Sequence, residues 1–216
     1  MKKSVSVSIL SADFLELKNE LDKIEKSNAD MLHFDVMDGV FVPNISFGFP
    51  VLDTVNKYTD IHLDVHLMIT DPLKYIDECV KFGADIITIH LESESDTEKT
   101  LDKIKKSGVK AGLSVKPGTP FEDAIPFMDK IDMLLIMTVE PGFGGQSFME
   151  DMLDKIAAAK KYISENNLDV AIEVDGGINN KTGKLVSEAG ADILVAGSYI
   201  FKHSDMNEAV SSLACL

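Results

Sequence analysis

The side chains in this sequence that are best suited to chemistry are two histidines and two aspartates near the ends of β-like segments: His33, Asp35, His66 and Asp175. His33 and Asp35 are two positions apart, so on a β-strand their side chains point to the same face. Asp175 is followed directly by two glycines. Two imidazoles and two carboxylates that converge would suit one divalent metal ion, such as Zn²⁺, Fe²⁺, Mn²⁺ or Co²⁺. Each residue alone is more often a hydrogen-bonded core or turn residue, so the prediction requires a fold that brings all four together.

The rest of the chain alternates short β-like segments with amphipathic helical segments. The predicted strands are 4–10, 31–37, 61–68, 85–91, 111–115, 133–139, 170–174 and 193–196. Helical spacing of apolar residues follows several of them, as in the stripe from Phe14 to Ile24 and the segment that begins at Asp71-Pro72 and ends at Gly83. Eight strand–helix units in 216 residues predict a closed (β/α)₈ TIM barrel that forms a single domain over 1–216. An open doubly wound sheet would need fewer strands and usually a glycine fingerprint after the first one, where 11–13 contain no glycine.

A barrel of this kind places functional side chains where strands end and the following loops begin. Three glycine-containing turns also follow predicted strands, namely PGFGGQ at 141–146, Gly176-Gly177 and Gly197-Ser198. Glycines let backbone N–H groups approach an anion closely, and such barrels commonly bind a phosphate after their last strands. The sequence therefore predicts a phosphorylated substrate at the same end of the barrel as the metal site.

The charge balance limits the possible partners. The chain carries 36 acidic and 21 basic residues, a formal net charge of -15, which repels nucleic acid and anionic membranes. Backbone donors in glycine turns can bind a phosphate without lysine or arginine, so an anionic substrate remains compatible with this charge. Two distant cysteines, Cys79 and Cys215, and the lack of a readable secretion signal or long apolar segment predict a cytoplasmic protein.

Six segments together resemble the ribulose-phosphate 3-epimerase family, and the resemblance extends along nearly the whole chain. They are SILSADF at 8–14, HFDVMDG at 33–39, FVPN at 41–44, DVHLM at 64–68, MTVEPGFGGQ at 137–146 and EVDGGI at 173–178. The resemblance implies a barrel of the ribulose-phosphate-binding type.

The resemblance also assigns residues to roles. It implies that His33, Asp35, His66 and Asp175 bind one divalent metal ion per subunit, and that Asp35 and Asp175 are the catalytic acid and base. It implies substrate contacts from Ser8, His66, Gly142, Phe143, Gly144, Gly145, Gly176, Gly177, Gly197 and Ser198. It further implies that Met37, Met68 and Met137 cap the reacting part of the sugar, although methionines in such positions are more often core residues.

The implied reaction interconverts D-ribulose 5-phosphate and D-xylulose 5-phosphate in the pentose phosphate pathway. One carboxylate removes the C3 proton beside the C2 carbonyl to give an enediolate, and the other returns a proton to the opposite face. The two strands that carry them, the second and the seventh, lie on roughly opposite sides of an eight-stranded ring. No redox cofactor is required, and a homo-oligomer is expected.

Three other functions remain open at this point. An allulose-6-phosphate 3-epimerase would share the metal site and differ in the length of its sugar. A Schiff-base aldolase would use Lys116, which stands at the end of the fifth predicted strand. A non-catalytic sugar-phosphate binder would not need opposed carboxylates. The segment 40–47 is either a mobile lid over the site or an ordinary structured loop.

Overall fold

The computed structural model describes residues 2–216, in which eight parallel strands close into a barrel in chain order. The strands are β1 Ser4–Ser8, β2 Met31–Met37, β3 His62–Met68, β4 Ile86–His90, β5 Lys110–Val115, β6 Met133–Met137, β7 Ala171–Asp175 and β8 Ile193–Ala196. The helices are α1 Leu17–Lys26, α2 Phe49–Tyr58, α3 Ile76–Lys81, α4 Thr97–Lys106, α5 Met152–Glu165, α6 Asn180–Ala189, α7 Ser198–Phe201 and α8 Met206–Ala214. The predicted (β/α)₈ barrel is therefore confirmed.

Side chains alternate between the barrel interior and the helix-covered outside, as the period of two along a strand requires. The outward residues of β2, such as Leu32 and Phe34, are fully buried in the main apolar core beneath the helices. The inward residues at the amino-terminal end form a separate apolar layer that includes Met31, Ile86 and Met133. Above this layer the interior becomes polar, so the barrel is closed by apolar side chains at one end and presents functional groups at the other.

Some predicted boundaries were wrong. The strand predicted for 4–10 ends at Ser8 and continues as a 3₁₀ helix, Ile9–Ser11, which turns the chain away from the barrel wall. Helix α1 begins only at Leu17, so Phe14 is not in its apolar stripe; it is 46% exposed and packs against Phe47. Between β5 and β6 the crossover is a 3₁₀ helix, Phe121–Phe127, with a proline inside it that an α-helix would not accommodate.

The segment after Asp71 is also divided. Pro72–Lys74 is a 3₁₀ helix and α3 follows it after Tyr75, while the Asp71 side chain accepts a hydrogen bond from Ser95 instead of capping the helix. Among residues 2–216, no helix combines the length and the apolar composition needed to cross a bilayer.

Candidate active site

The predicted metal ligands meet at the carboxyl-terminal end of the barrel. His33 and Asp35 point inward from β2, and the parallel register pairs Asp35 with His66 on β3. Asp175 is the last residue of β7, where it pairs with Met137 of β6. The potential ligand atoms of these four residues all lie within 4.8 Å of one another. The barrel thus brings together residues that are far apart in the sequence.

The distances fit a shared divalent ion. His33 Nε2 and His66 Nδ1 each lie 3.2 Å from Asp35 Oδ1, and the two nitrogens are 3.2 Å apart. His33 Nε2 is 3.9 Å from Asp175 Oδ2. Ligands bound at about 2.0–2.2 Å in a tetrahedron would be roughly 3.3–3.6 Å apart, which is close to these separations. The donor set, two imidazoles and two carboxylates, is one that Zn²⁺ and related ions accept.

Two further side chains, Asp64 and Ser8, contact the candidate ligands His33 and Asp35 and orient them. Asp64 Oδ2 lies 2.6 Å from His33 Nδ1, so the other ring nitrogen of His33 faces the site. Ser8 donates a hydrogen bond of 2.8 Å to Asp35 Oδ2. Metal-binding histidines usually hydrogen-bond a carboxylate or carbonyl through their second nitrogen, and this bond fixes the ring and its tautomer. Asp64 was not among the predicted site residues, although it shares the inward face of β3 with His66, two positions away.

The electrostatic environment shifts the pKa values of the two candidate acid–base residues in opposite directions. Burial opposes ionisation of Asp35, but the charge of His33 and hydrogen bonds from His33 and His66 lower its pKa below the usual range. For Asp175, burial and the nearby charge of Asp35 raise the pKa to about 6, against the opposing effect of His33. The Asp175 side chain is 21% exposed and that of Asp35 only 4%. Without a bound metal ion, Asp35 is thus the more readily ionised of the two carboxyl groups.

A cavity with a volume of about 570 Å³, including its open mouth, lies above this cluster. Asp35 and Asp175 line it, together with Met37, Met68 and Met137, each no more than 4% exposed. The three methionines therefore contribute apolar surface beside the carboxylates. Apolar contacts of this kind exclude water from the space beside the carboxylates.

The glycine-containing turns line the same cavity. Of the predicted substrate contacts, the following are in its lining: Ser8, Gly142, Phe143, Gly144, Gly145, Gly176, Gly177, Gly197 and Ser198. Gly177 has a φ of +66°, and a Cβ there would lie 2.6 Å from the backbone nitrogen of Phe148. Glycine is thus required where the turn after β7 approaches the segment that follows β6.

His66 is the one predicted substrate contact that is not in the cavity lining. His66 does not line the cavity and is fully buried, because its ring packs between those of His33 and His90. Conversely, Ser11 and Tyr199 line the cavity without having been predicted. Ser11 belongs to the 3₁₀ helix after β1, where its hydroxyl lies 3.2 Å from that of Ser198, and no sequence pattern marks this contact.

The segment 40–47 packs against the turn after β6. Asn44 donates a hydrogen bond of 2.8 Å to the carbonyl oxygen of Gly142, and Val42 is buried. At its start, Asp38 accepts hydrogen bonds from the backbone of Val40 and Phe41. The segment therefore contacts a turn whose residues line the cavity.

Lys116 does not line the cavity. Its ammonium nitrogen lies 3.7 Å from the centroid of the Phe41 ring, in cation–π geometry. A lysine that forms an imine has to reach the substrate carbonyl, so this position does not favour the aldolase.

Comparison with known proteins gives a consistent result. A sequence profile of the ribulose-phosphate 3 epimerase family matches residues 4–201. The ribulose-phosphate 3-epimerase of Bacillus subtilis is 48% identical over 97% of both chains. The chloroplastic ribulose-5-phosphate-3-epimerase of Arabidopsis thaliana is 44% identical over 97% of this chain and 75% of its own.

Solved structures with the same fold are more distant in sequence. A structure of KGPDC from Streptococcus mutans superposes with a TM-score of 0.74 at 14% identity, covering 98% of this chain and 95% of its own. The 3-hexulose-6-phosphate synthase of Salmonella typhimurium has a TM-score of 0.66 at 18% identity, covering 100% and 97%. At these identities the likeness concerns the fold alone.

Proposed function

This chain belongs to the ribulose-phosphate 3-epimerase family, and we propose that Asp35 and Asp175 perform the proton transfers by which it inverts C3 of a ketose 5-phosphate. The observation that carries this proposal is a single cavity that contains both carboxylates and the glycine turns. The substrate pair is D-ribulose 5-phosphate and D-xylulose 5-phosphate.

The proton transfers require two groups in opposite states of protonation. In one direction, the first carboxylate removes the C3 proton and leaves an enediolate, while the other, protonated, delivers a proton to the opposite face. The reverse reaction exchanges the roles. Both carboxyl groups line one cavity, and without a bound metal ion the pKa of Asp35 is lowered while that of Asp175 is raised, so Asp175 is the one more able to hold the proton before the reaction begins.

The donor set described above would hold one divalent metal ion. When bound, the ion would act as a Lewis acid and stabilise developing negative charge on substrate oxygens by several kcal/mol. Zn²⁺, Fe²⁺, Mn²⁺ and Co²⁺ all suit two histidines and two carboxylates. Asp64 and Ser8 orient His33 and Asp35 for this task.

The phosphate would bind to the backbone of the glycine turns and to Ser198. Within the described residues, the lining of this cavity contains no lysine or arginine, so backbone N–H groups and hydroxyls would supply the donors there. Lys202 lines an adjoining cavity that shares Gly145, Gly177 and Ser198. In a chain of net charge -15, these local donors offset the general repulsion of an anionic substrate. Met37, Met68 and Met137 would cover the reacting carbons and exclude water from the enediolate.

The experiment is a comparison of initial epimerisation rates on D-ribulose 5-phosphate and allulose 6-phosphate at equal concentration. We expect the pentose phosphate to react faster by roughly 10–200-fold, the range that one additional carbon unit usually confers. Equal rates, or a preference for the hexose phosphate, would favour the allulose enzyme. In D₂O, deuterium should enter C3, and its absence would favour the non-catalytic binder.

A further inference from the structure

A line of polar side chains leads from buried His66 away from the site. His90, the last residue of β4, lies with its Nε2 atom 2.8 Å from Nε2 of His66. The other ring nitrogen of His90, Nδ1, lies 3.2 Å from Oε2 of Glu92. Both histidines are fully buried. The three side chains therefore form a continuous path from the metal site to the loop after β4.

Glu92, at the end of this path, is held in position by hydrogen bonds from the loop after β5. The Glu92 carboxylate accepts a hydrogen bond of 2.8 Å from the backbone nitrogen of Lys116 and another from the hydroxyl of Thr119. Both donors lie in the loop after β5. Beside the path, the ring of Phe41 packs against His90 at a centroid distance of 4.9 Å. The position of Glu92 is thus fixed from outside the barrel, and Phe41 covers the imidazole that it contacts.

The geometry allows only one pattern of donors and acceptors that is compatible with a metal ligand. His66 faces the ligand cluster through Nδ1, 3.2 Å from Asp35 Oδ1, so this atom needs its lone pair. The His66 proton is then on Nε2 and points to His90 Nε2, which has to accept it. His90 consequently carries its proton on Nδ1 and donates it to Glu92.

We propose that His90 and Glu92 are positioning residues that fix the tautomer and ring orientation of His66 as a metal ligand. Asp64 performs the equivalent task for His33 through a direct contact, whereas Glu92 acts on His66 through an intervening imidazole. The inference rests on the proposed function, since it assumes that His66 binds the metal ion. Neither His90 nor Glu92 lines the substrate cavity, so a role in substrate contact is not part of it.

The test compares His90→Phe, which keeps a ring without hydrogen-bonding atoms, with His90→Gln, whose amide can both accept and donate. Each protein is stripped of metal, and its affinity for Co²⁺ is measured by chelator competition together with the visible absorption of bound Co²⁺. His62→Gln is the matched control, because His62 begins β3 at the opposite end of the barrel and is exposed.

We expect His90→Phe to weaken Co²⁺ binding by roughly 10–100-fold, the usual effect of losing a partner of a metal ligand, and to change the absorption spectrum. His90→Gln should recover affinity to within about threefold of the wild type, and His62→Gln should match it. Recovery by glutamine distinguishes positioning from packing, since phenylalanine fills the volume better.

Glu92→Gln keeps the inference testable if His90→Phe fails to fold. It removes the charge at the end of the path and should weaken Co²⁺ binding about tenfold. Wild-type affinity and an unchanged spectrum in a folded His90→Phe, or in Glu92→Gln, would overturn the proposal while leaving the proposed function intact. Failure of the wild-type protein to bind Co²⁺ would contradict the metal site itself, and the positioning role with it.

Discussion

Replacement of Asp175 by asparagine removes one of the two proposed acid–base carboxylates, and it also changes one of the four proposed metal ligands. Among the separations given above, the one to Asp175 is the longest, 3.9 Å from Oδ2 to His33 Nε2, whereas His33, Asp35 and His66 approach one another at 3.2 Å. Asparagine has nearly the same size and keeps one oxygen, so the other three residues should remain in place. When the rates are compared at equal metal content, the loss of rate should therefore reflect mainly the missing acid–base carboxylate.

The expected size of the effect follows from the role. A positioned acid or base contributes roughly 10²–10⁴-fold, or about 3–5 kcal/mol. Asp175 acts in both directions, once as acid and once as base. We therefore expect Asp175→Asn to lower the epimerisation rate of both sugars by this factor, which essentially abolishes the reaction. Asp35 can still exchange the C3 proton that faces it, so deuterium should enter only one of the two epimers.

The assay follows each epimer separately by NMR in D₂O, with the metal content of each protein determined in parallel. Asp60→Asn is the matched control, because Asp60 is exposed and precedes β3 at the other end of the barrel. More than a tenth of wild-type epimerisation in metal-loaded Asp175→Asn would refute the two-carboxylate mechanism. Deuterium entry into both epimers would refute the assignment of Asp175 to one face.

Two further predictions concern the phosphate turns and the cysteines. Gly177→Ala places a Cβ 2.6 Å from the backbone of Phe148 and should lower kcat/KM for the sugar phosphate at least about tenfold. Gly118→Ala is the control, because the space around Gly118 is open, and it should leave steady-state kinetics unchanged. Equal kinetics in both variants would contradict a role for the turn after β7. Burial raises the pKa of Cys79 to about 12, so its thiol stays protonated below that pH. At pH 9, mass spectrometry should therefore find iodoacetamide on the exposed Cys215 alone until the protein is unfolded. Alkylation of Cys79 in the native protein would contradict its burial.

The barrel was predictable because its pattern is local. The strands at 31–37 and 193–196 were predicted with the bounds that the structure gives them, since β-like runs with clear ends mark both. The ends of other elements depend on contacts that lie far away in the sequence. The run from Ser4 to Leu10 is uniformly β-like, yet pairing with β8 stops at Val7 and pairing with β2 at Ser8, after which the chain forms a 3₁₀ helix.

The ligand cluster was predictable from residue types at strand ends, but the residues that support it were not. Asp64 and His90 are buried polar residues whose partners lie on neighbouring strands. Which inward side chains meet depends on the stagger of the strands around the barrel, and no single segment encodes that stagger. For the same reason, the sequence did not show that the ring of His66 packs between two imidazoles and lies outside the cavity lining.

The central claim is that His33, Asp35, His66 and Asp175 hold one divalent metal ion on which epimerisation depends. The most direct measurement removes metal from the protein with a strong chelator, verifies its removal by elemental analysis, and follows the epimerisation rate as Zn²⁺, Mn²⁺, Fe²⁺ or Co²⁺ is returned. We predict that the stripped protein is inactive and that activity rises with added metal until about one ion is bound per chain. Full activity in a sample verified to be free of metal would contradict the claim.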